Sequence, residues 1–165
     1  MSRLDSMIRR LEAQRACIDW ALAEIRPLSG AILELGLGNG RTYDHLRANA
    51  PDRDIYVFER APAAHPDCTP EAQYLIEGDF RETLQQNLDF LRGRGVLAHC
   101  DIGSGHPEQD RELAAAVAPQ INELLSLGAL VLSDQVFSFS GWESVETPER
   151  VPEGRYYIYR KRELK

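Results

Sequence analysis

A chain of 165 residues with 43% hydrophobic content is sized for one globular domain with a core of its own. Its formal net charge of −7 and pI near 5.1 argue against a nucleic-acid partner, because a phosphate backbone is met by a basic face. No apolar run approaches the roughly 18 residues a membrane span needs, the N-terminus lacks an apolar signal core, and Cys17, Cys68 and Cys100 form neither a disulfide framework nor a metal pair. The expectation is a soluble cytoplasmic chain without membrane attachment, whose partner is a small molecule.

In chain order, apolar residues recur at Leu4, Ile8, Leu11, Ile18, Leu22 and Ile25, the stripe of an amphipathic helix that "RPLSG" ends. The spacing predicts strands at 31–35, 54–59, 72–79, 96–101 and 129–137, and helices over 41–50, 81–95 and 107–128. Pro119 is expected to kink or split the last of these. The segment 61–70, with three prolines, reads as a loop or broken helix, and "GRYYIYRK" (154–161) as a final strand. Apolar strands alternating with helices define a doubly wound, Rossmann-like α/β fold with a mostly parallel sheet. The whole chain reads as a single domain, with residues 1–28 an N-terminal helix and 29–165 the α/β core.

The segment "ELGLGNG" (34–40) places Gly36, Gly38 and Gly40 between the first strand and the next helix. A turn of this kind presents backbone N–H groups and the positive end of a helix to a ligand that glycine lets approach closely. The spacing is G-x-G-x-G, whereas a dinucleotide fingerprint is G-x-G-x-x-G, whose third glycine would fall on Arg41. Glu59, at the end of the second strand, lies 19 residues beyond Gly40, near the spacing at which a carboxylate accepts both ribose hydroxyls of a nucleoside. "EGDF" (77–80) puts Asp79 at the next strand end, where "DFRE" equally fits a helix cap.

From Leu33 to Asp134 the pattern resembles the class I S-adenosylmethionine-dependent methyltransferases. The resemblance implies S-adenosylmethionine as cofactor, held by Glu34, Gly36, Gly38, Asn39, Gly40, Glu59, Arg60, Asp79, Phe80 and Asp101. Asp79 would meet the adenine amino group and Phe80 its ring. Direct methyl transfer needs two reactants held in line and at most a proton acceptor, so the catalytic candidates are Asp101, His106 and Asp134. His106, on the loop "IGSGH", has a free pKa suited to a general base, although a surface loop histidine is the plainer reading. His99, within a strand covered on both faces, reads as a core histidine with its hydrogen bonds satisfied; Trp20 and Trp142 read as core. The family's usual last helix and two strands exceed the residues left after 137, so six strands are expected, the last antiparallel.

"GALVLSDQVF" (128–137) is also similar to the strand-five segment of metal-dependent O-methyltransferases of the catechol and caffeoyl-coenzyme A type, which would make Asp101, Asp134 and Gln135 ligands of a divalent cation. Gln135 replaces that family's Asn and its catalytic lysine has no counterpart, so no metal is expected. A nicotinamide-dependent oxidoreductase and a non-catalytic nucleoside-binding protein stay open as alternatives. Without an inserted cap, the acceptor pocket falls to the first helix, the loop 102–108 and the segment 136–152, with a second copy of the chain as a further source.

Overall fold

The computed structural model describes residues 1–164. In chain order these form α1 (Arg3–Glu24), β1 (Ala31–Leu35), α2 (Arg41–Asn49), β2 (Ile55–Glu59), β3 (Leu75–Glu77), α3 (Phe80–Gln86), α4 (Leu88–Leu91), β4 (Gly95–Cys100), α5 (Pro107–Leu124), β5 (Leu125–Ser133), β6 (Trp142–Val145) and β7 (Tyr157–Lys161). Short 3₁₀ turns over Pro66–Cys68 and Ala72–Tyr74 precede β3. One seven-stranded sheet runs β3-β2-β1-β4-β5-β7-β6; β1 to β5 are parallel, and β7 is antiparallel to both of its neighbours. Helices α1 and α2 cover one face, through Cys17, Ile18, Ala21 and Leu46, and α3, α4 and α5 the other, through Leu84, Leu91, Val117 and Ile121. No described helix is long and apolar enough to cross a membrane.

The sheet therefore has one strand more than the six expected. β6 is the addition, a short edge strand, "WESV", with two exposed polar residues that pairs only with β7; four residues carry too little alternation to be read as a strand. Pro119 does not split α5, which is continuous over 18 residues. Pro119 and Ala115 lie on the exposed side of that helix, where water can take the carbonyl that proline leaves unpaired. At its end α5 passes directly into β5, because Leu125 is already extended and pairs with Gly95. The helix expected over 81–95 breaks at Asn87 into α3 and α4. Nor does the whole apolar stripe of α1 face the core: Ile18 and Ile25 are buried, but Leu4 and Ile8 are 68% and 45% exposed, so the first turns of α1 stand clear of the sheet.

The chain lays β1, β2 and β3 in one direction and then returns to place β4 on the other side of β1. That reversal opens a crevice beyond the carboxyl ends of β1 and β4, where the glycine turn and Asp101 both lie.

Candidate functional site

β1 is wholly buried up to Leu35 and delivers the chain into the turn Gly36–Gly40, from which α2 starts. All three glycines have left-handed backbones, with φ of +94°, +51° and +78°. Their surroundings differ. A Cβ on Gly36 would lie 2.3 Å from the backbone oxygen of Asp101, and one on Gly40 would lie 2.3 Å from the backbone oxygen of Cys68. Those two positions are closed by the protein itself. Of the three, only Gly38 has open space where a Cβ would point.

Gly36, Gly38, Glu59, Arg60, Asp79, Phe80, Asp101 and the loop Ile102–Ser104 line one cavity of about 660 Å³. Glu59 Oε2 accepts hydrogen bonds from the N–H groups of Leu37 (2.7 Å) and Gly38 (3.2 Å), and Oε1 accepts from Ala61 (3.1 Å). The carboxylate at the end of β2 thus braces the glycine turn. Asp79 caps α3 by accepting from the Arg81 N–H at 2.9 Å, the helix-cap role, without the reciprocal bond of a capping box; it lines the cavity as well. Asn39 lies with Arg41 and Thr42 on an adjoining depression toward α1.

Asp101 follows β4 and is held from α1: Arg10 Nη2 donates to Oδ1 at 3.0 Å and Gln14 Nε2 to Oδ2 at 3.3 Å. Asp134, after β5, accepts from the N–H groups of Ile102 and Gly103, both at 3.1 Å, and from Gln135 Nε2 at 3.3 Å. Burial, followed by the Asp101 charge, raises the Asp134 pKa, and these donors act against the rise. Both aspartates are hydrogen-bonded by N–H donors, and Gln135 turns its amide nitrogen toward Asp134. Among the described residues no three His, Cys, Asp or Glu side chains converge as metal ligands do.

Two expected site residues lie elsewhere. Glu34 is wholly buried and is not among the side chains lining this cavity; its Oε1 lies 2.6 Å from His99 Nδ1 and accepts from Thr42 Oγ1 at 3.3 Å, while Oε2 has no hydrogen-bond partner among the described residues. Charge on β1 is thus spent in the core behind the glycine turn. His106 is exposed at the N-cap of α5 and makes no cap bond; it is not among the side chains lining either the cofactor-sized cavity or the one beside Asp134. Its position matches a surface loop histidine. Trp142 packs in the core against Phe137, Phe139 and Tyr159, with its Nε1 on Asn122 Oδ1 at 3.0 Å.

The sequence did not reveal Tyr156, Gln14 and Arg10. Tyr156 Oη contacts His99 Nε2, and Gln14 Nε2 donates to the same oxygen at 3.4 Å. A buried polar chain therefore runs from Glu34 through His99, Tyr156 and Gln14 to Asp101 in the cavity. One signal was available: Glu34 and His99 are each a polar residue interrupting an apolar strand, and the two are register partners in neighbouring strands.

A second cavity, of about 440 Å³, adjoins the first and is lined by Arg10, Gly103, Pro107, Arg111, Asp134, Gln135, Val136 and Tyr157 among others.

A doubly wound sheet with a glycine turn and strand-end carboxylates around one crevice defines a nucleoside-cofactor-binding α/β enzyme. The chain belongs to the S-adenosyl-L-methionine methyltransferase family, whose model matches residues 1–161. It is similar to the S-adenosyl-L-methionine methyltransferase of Silicibacter pomeroyi DSS-3, with 45% identity, a TM-score of 0.92, and coverage of 98% of this chain and 99% of that one. Fold alone is shared with the antibiotic-resistance methyltransferase Kmr (12% identity, TM-score 0.57, covering 91% of this chain and 93% of that one). The same holds for a sugar N-methyltransferase from Streptoalloteichus sp. (24% identity, TM-score 0.53, covering 88% of this chain and 61% of that one). No curated protein sequence matches the chain. The protein is an S-adenosylmethionine-dependent methyltransferase, and the oxidoreductase and non-catalytic alternatives fall away.

Proposed function

We propose that the chain is a single methyltransferase domain that binds S-adenosylmethionine in the cavity at the ends of β1 to β4 and methylates a small molecule in the adjoining cavity. The observation that carries this reading is Gly38: its left-handed backbone faces open space in the same cavity as Glu59, Asp79, Phe80 and Asp101. When bound, the sulfonium supplies an electrophilic methyl whose S–C bond electrons return to sulfur as the acceptor's lone pair forms the new bond. Glu59 takes the ribose hydroxyls while bracing the turn, Asp79 and Phe80 face the base, and Asp101 takes the ammonium of the amino-acid end. Arg60 and Asn39 flank these contacts.

On the acceptor side the chain supplies position and a proton acceptor. Asp134 lines the second cavity, and burial makes its carboxylate more basic than an exposed one, so it is the side chain placed to take the acceptor's proton. His106 has no part in this assignment. The net charge of −7 supports a small-molecule acceptor over a nucleic acid. Calorimetric titration tests the cofactor assignment: S-adenosylhomocysteine should bind to the wild type and raise its melting temperature by mass action, and NAD should do neither. Binding that Gly38→Val leaves intact would place the cofactor elsewhere.

A further inference from the structure

The second cavity is lined by two carboxylates, Asp110 and Asp134, and two guanidiniums, Arg10 and Arg111, with Gln135 beside Asp134. Each carboxylate has hydrogen-bond donors from the protein. Asp134 accepts from two backbone N–H groups and Gln135, and Asp110 accepts from Ser104 through its N–H (2.9 Å) and Oγ (2.6 Å). Arg111 is exposed to the cavity and takes part in no ion pair among the described residues. Arg10 gives one nitrogen to Asp101 and lines both cavities. Tyr157 and the half-exposed Val136 supply apolar surface to the same cavity. Arg111 is thus the cationic side chain of this cavity with no carboxylate paired to it among the described residues, and its free fork suits an anionic group.

We infer that the methyl acceptor is a small molecule carrying a carboxylate, anchored by Arg111 with Arg10 beside it, and presenting its nucleophilic atom toward Asp134. The guanidinium's planar fork suits a carboxylate in a bidentate pair, and a fixed charge at one end of the acceptor orients the other end toward the transferred methyl. This inference rests on the cofactor assignment above, because the second cavity is read as the acceptor's from its position beside the first.

The test separates the two. S-adenosylhomocysteine is first titrated into the wild type; absence of binding would overturn the cofactor assignment. With S-adenosylhomocysteine saturating, benzoate, 4-hydroxybenzoate and cyclohexanecarboxylate are compared with benzyl alcohol and cyclohexanemethanol by ligand-observed NMR. The carboxylates should bind and the alcohols should bind at least tenfold more weakly, in line with the roughly tenfold or larger loss expected when a charge-assisted partner is removed. Arg111→Gln should abolish that preference without changing S-adenosylhomocysteine affinity, and Arg111→Lys should restore part of it. Equal binding of acids and alcohols, no binding of either, or a preference that survives Arg111→Gln would each overturn the inference.

Discussion

Glu34 Oε1 lies 2.6 Å from His99 Nδ1, across the β1–β4 pairing, with both side chains wholly buried. A proton between these atoms ties the two paired strands beyond whose carboxyl ends the crevice opens, and Tyr156 and Gln14 extend the link to Asp101 and α1. Removing one partner leaves the other buried and unpaired, so His99→Leu or Glu34→Leu should each cost about 3 to 5 kcal/mol of stability. The double variant, losing both polar groups, should cost less than the sum of the two. Chemical denaturation of the three proteins checks this, and additive losses would show that the pair is not coupled.

The pair also fixes a pH dependence. Burial raises the Glu34 pKa, with the charge and hydrogen bond of His99 opposing it. For His99 burial acts downward, but the Glu34 charge and hydrogen bond, with Asp101 and Asp134, outweigh it and raise the pKa. Both shifts mean that the folded chain keeps protons that the unfolded chain releases, so rising pH favours unfolding. The contribution of His99 is fully present below its unfolded pKa of about 6.5 and is lost as pH rises through its higher folded value. The stability gap between wild type and His99→Gln should therefore narrow from pH 6 upward; a gap constant to pH 9 would contradict the shift.

The regular part of this fold was legible because apolar runs and glycines mark where a buried parallel strand starts and stops. "AILEL" is β1 as read, and the helix read over 107–128 forms over 107–124, its last four residues belonging to β5. Short elements were less so: the strand read over 72–79 forms only over Leu75–Glu77, and the four-residue β6, whose pairing is decided by β7 rather than by its own pattern, was not read. The motif positions Gly36, Gly38, Glu59, Asp79 and Asp101 do gather around one cavity. What a motif does not disclose is which of its members faces inward. Glu34 belongs to the pattern yet lies behind the turn, and Gly36 and Gly40 are glycine because backbone oxygens from Asp101 and Cys68 pass close to them. Arg10, Gln14 and Tyr156 are far from the motif in sequence, so only the packing of α1 and of the approach to β7 brings them in.

The contrast among the glycines is itself testable. Gly38→Ala meets open space and pays only the left-handed backbone, about 1 to 2 kcal/mol. Gly36→Ala and Gly40→Ala pay that and must also displace a backbone oxygen 2.3 Å away. In thermal melts without ligand, Gly38→Ala should remain folded and lose much less than the other two, while its cofactor affinity falls. Equal destabilisation of all three would remove the distinction.

Chelation bears on the metal-dependent alternative. Arg10 and Gln14 donate to Asp101, and two backbone N–H groups to Asp134, so both carboxylates are held in place without an ion. S-adenosylhomocysteine affinity and, once an acceptor is known, turnover should be unchanged by EDTA and by added Mg²⁺. A requirement for Mg²⁺ restored after dialysis would mean that these carboxylates exchange their donors for an ion in the bound state.

Glu59 holds the turn and faces the cavity, so its two roles need separating. Glu59→Gln keeps the size of the side chain but removes the charge that accepts from Leu37, Gly38 and Ala61, and it weakens acceptance from the ribose hydroxyls. Cofactor binding should fall by roughly 1 to 3 kcal/mol, the magnitude of a lost hydrogen bond to a charged group. Ribose is common to S-adenosylhomocysteine and adenosine, so both ligands should weaken by the same factor. Asp101→Asn, placed at the amino-acid end, should weaken S-adenosylhomocysteine and leave adenosine nearly unchanged. Isothermal titration of the two ligands against the two variants gives four affinities. If Glu59→Gln weakened only S-adenosylhomocysteine, Glu59 would act through the turn at the amino-acid end rather than at the ribose, and the carboxylate would be a structural brace alone.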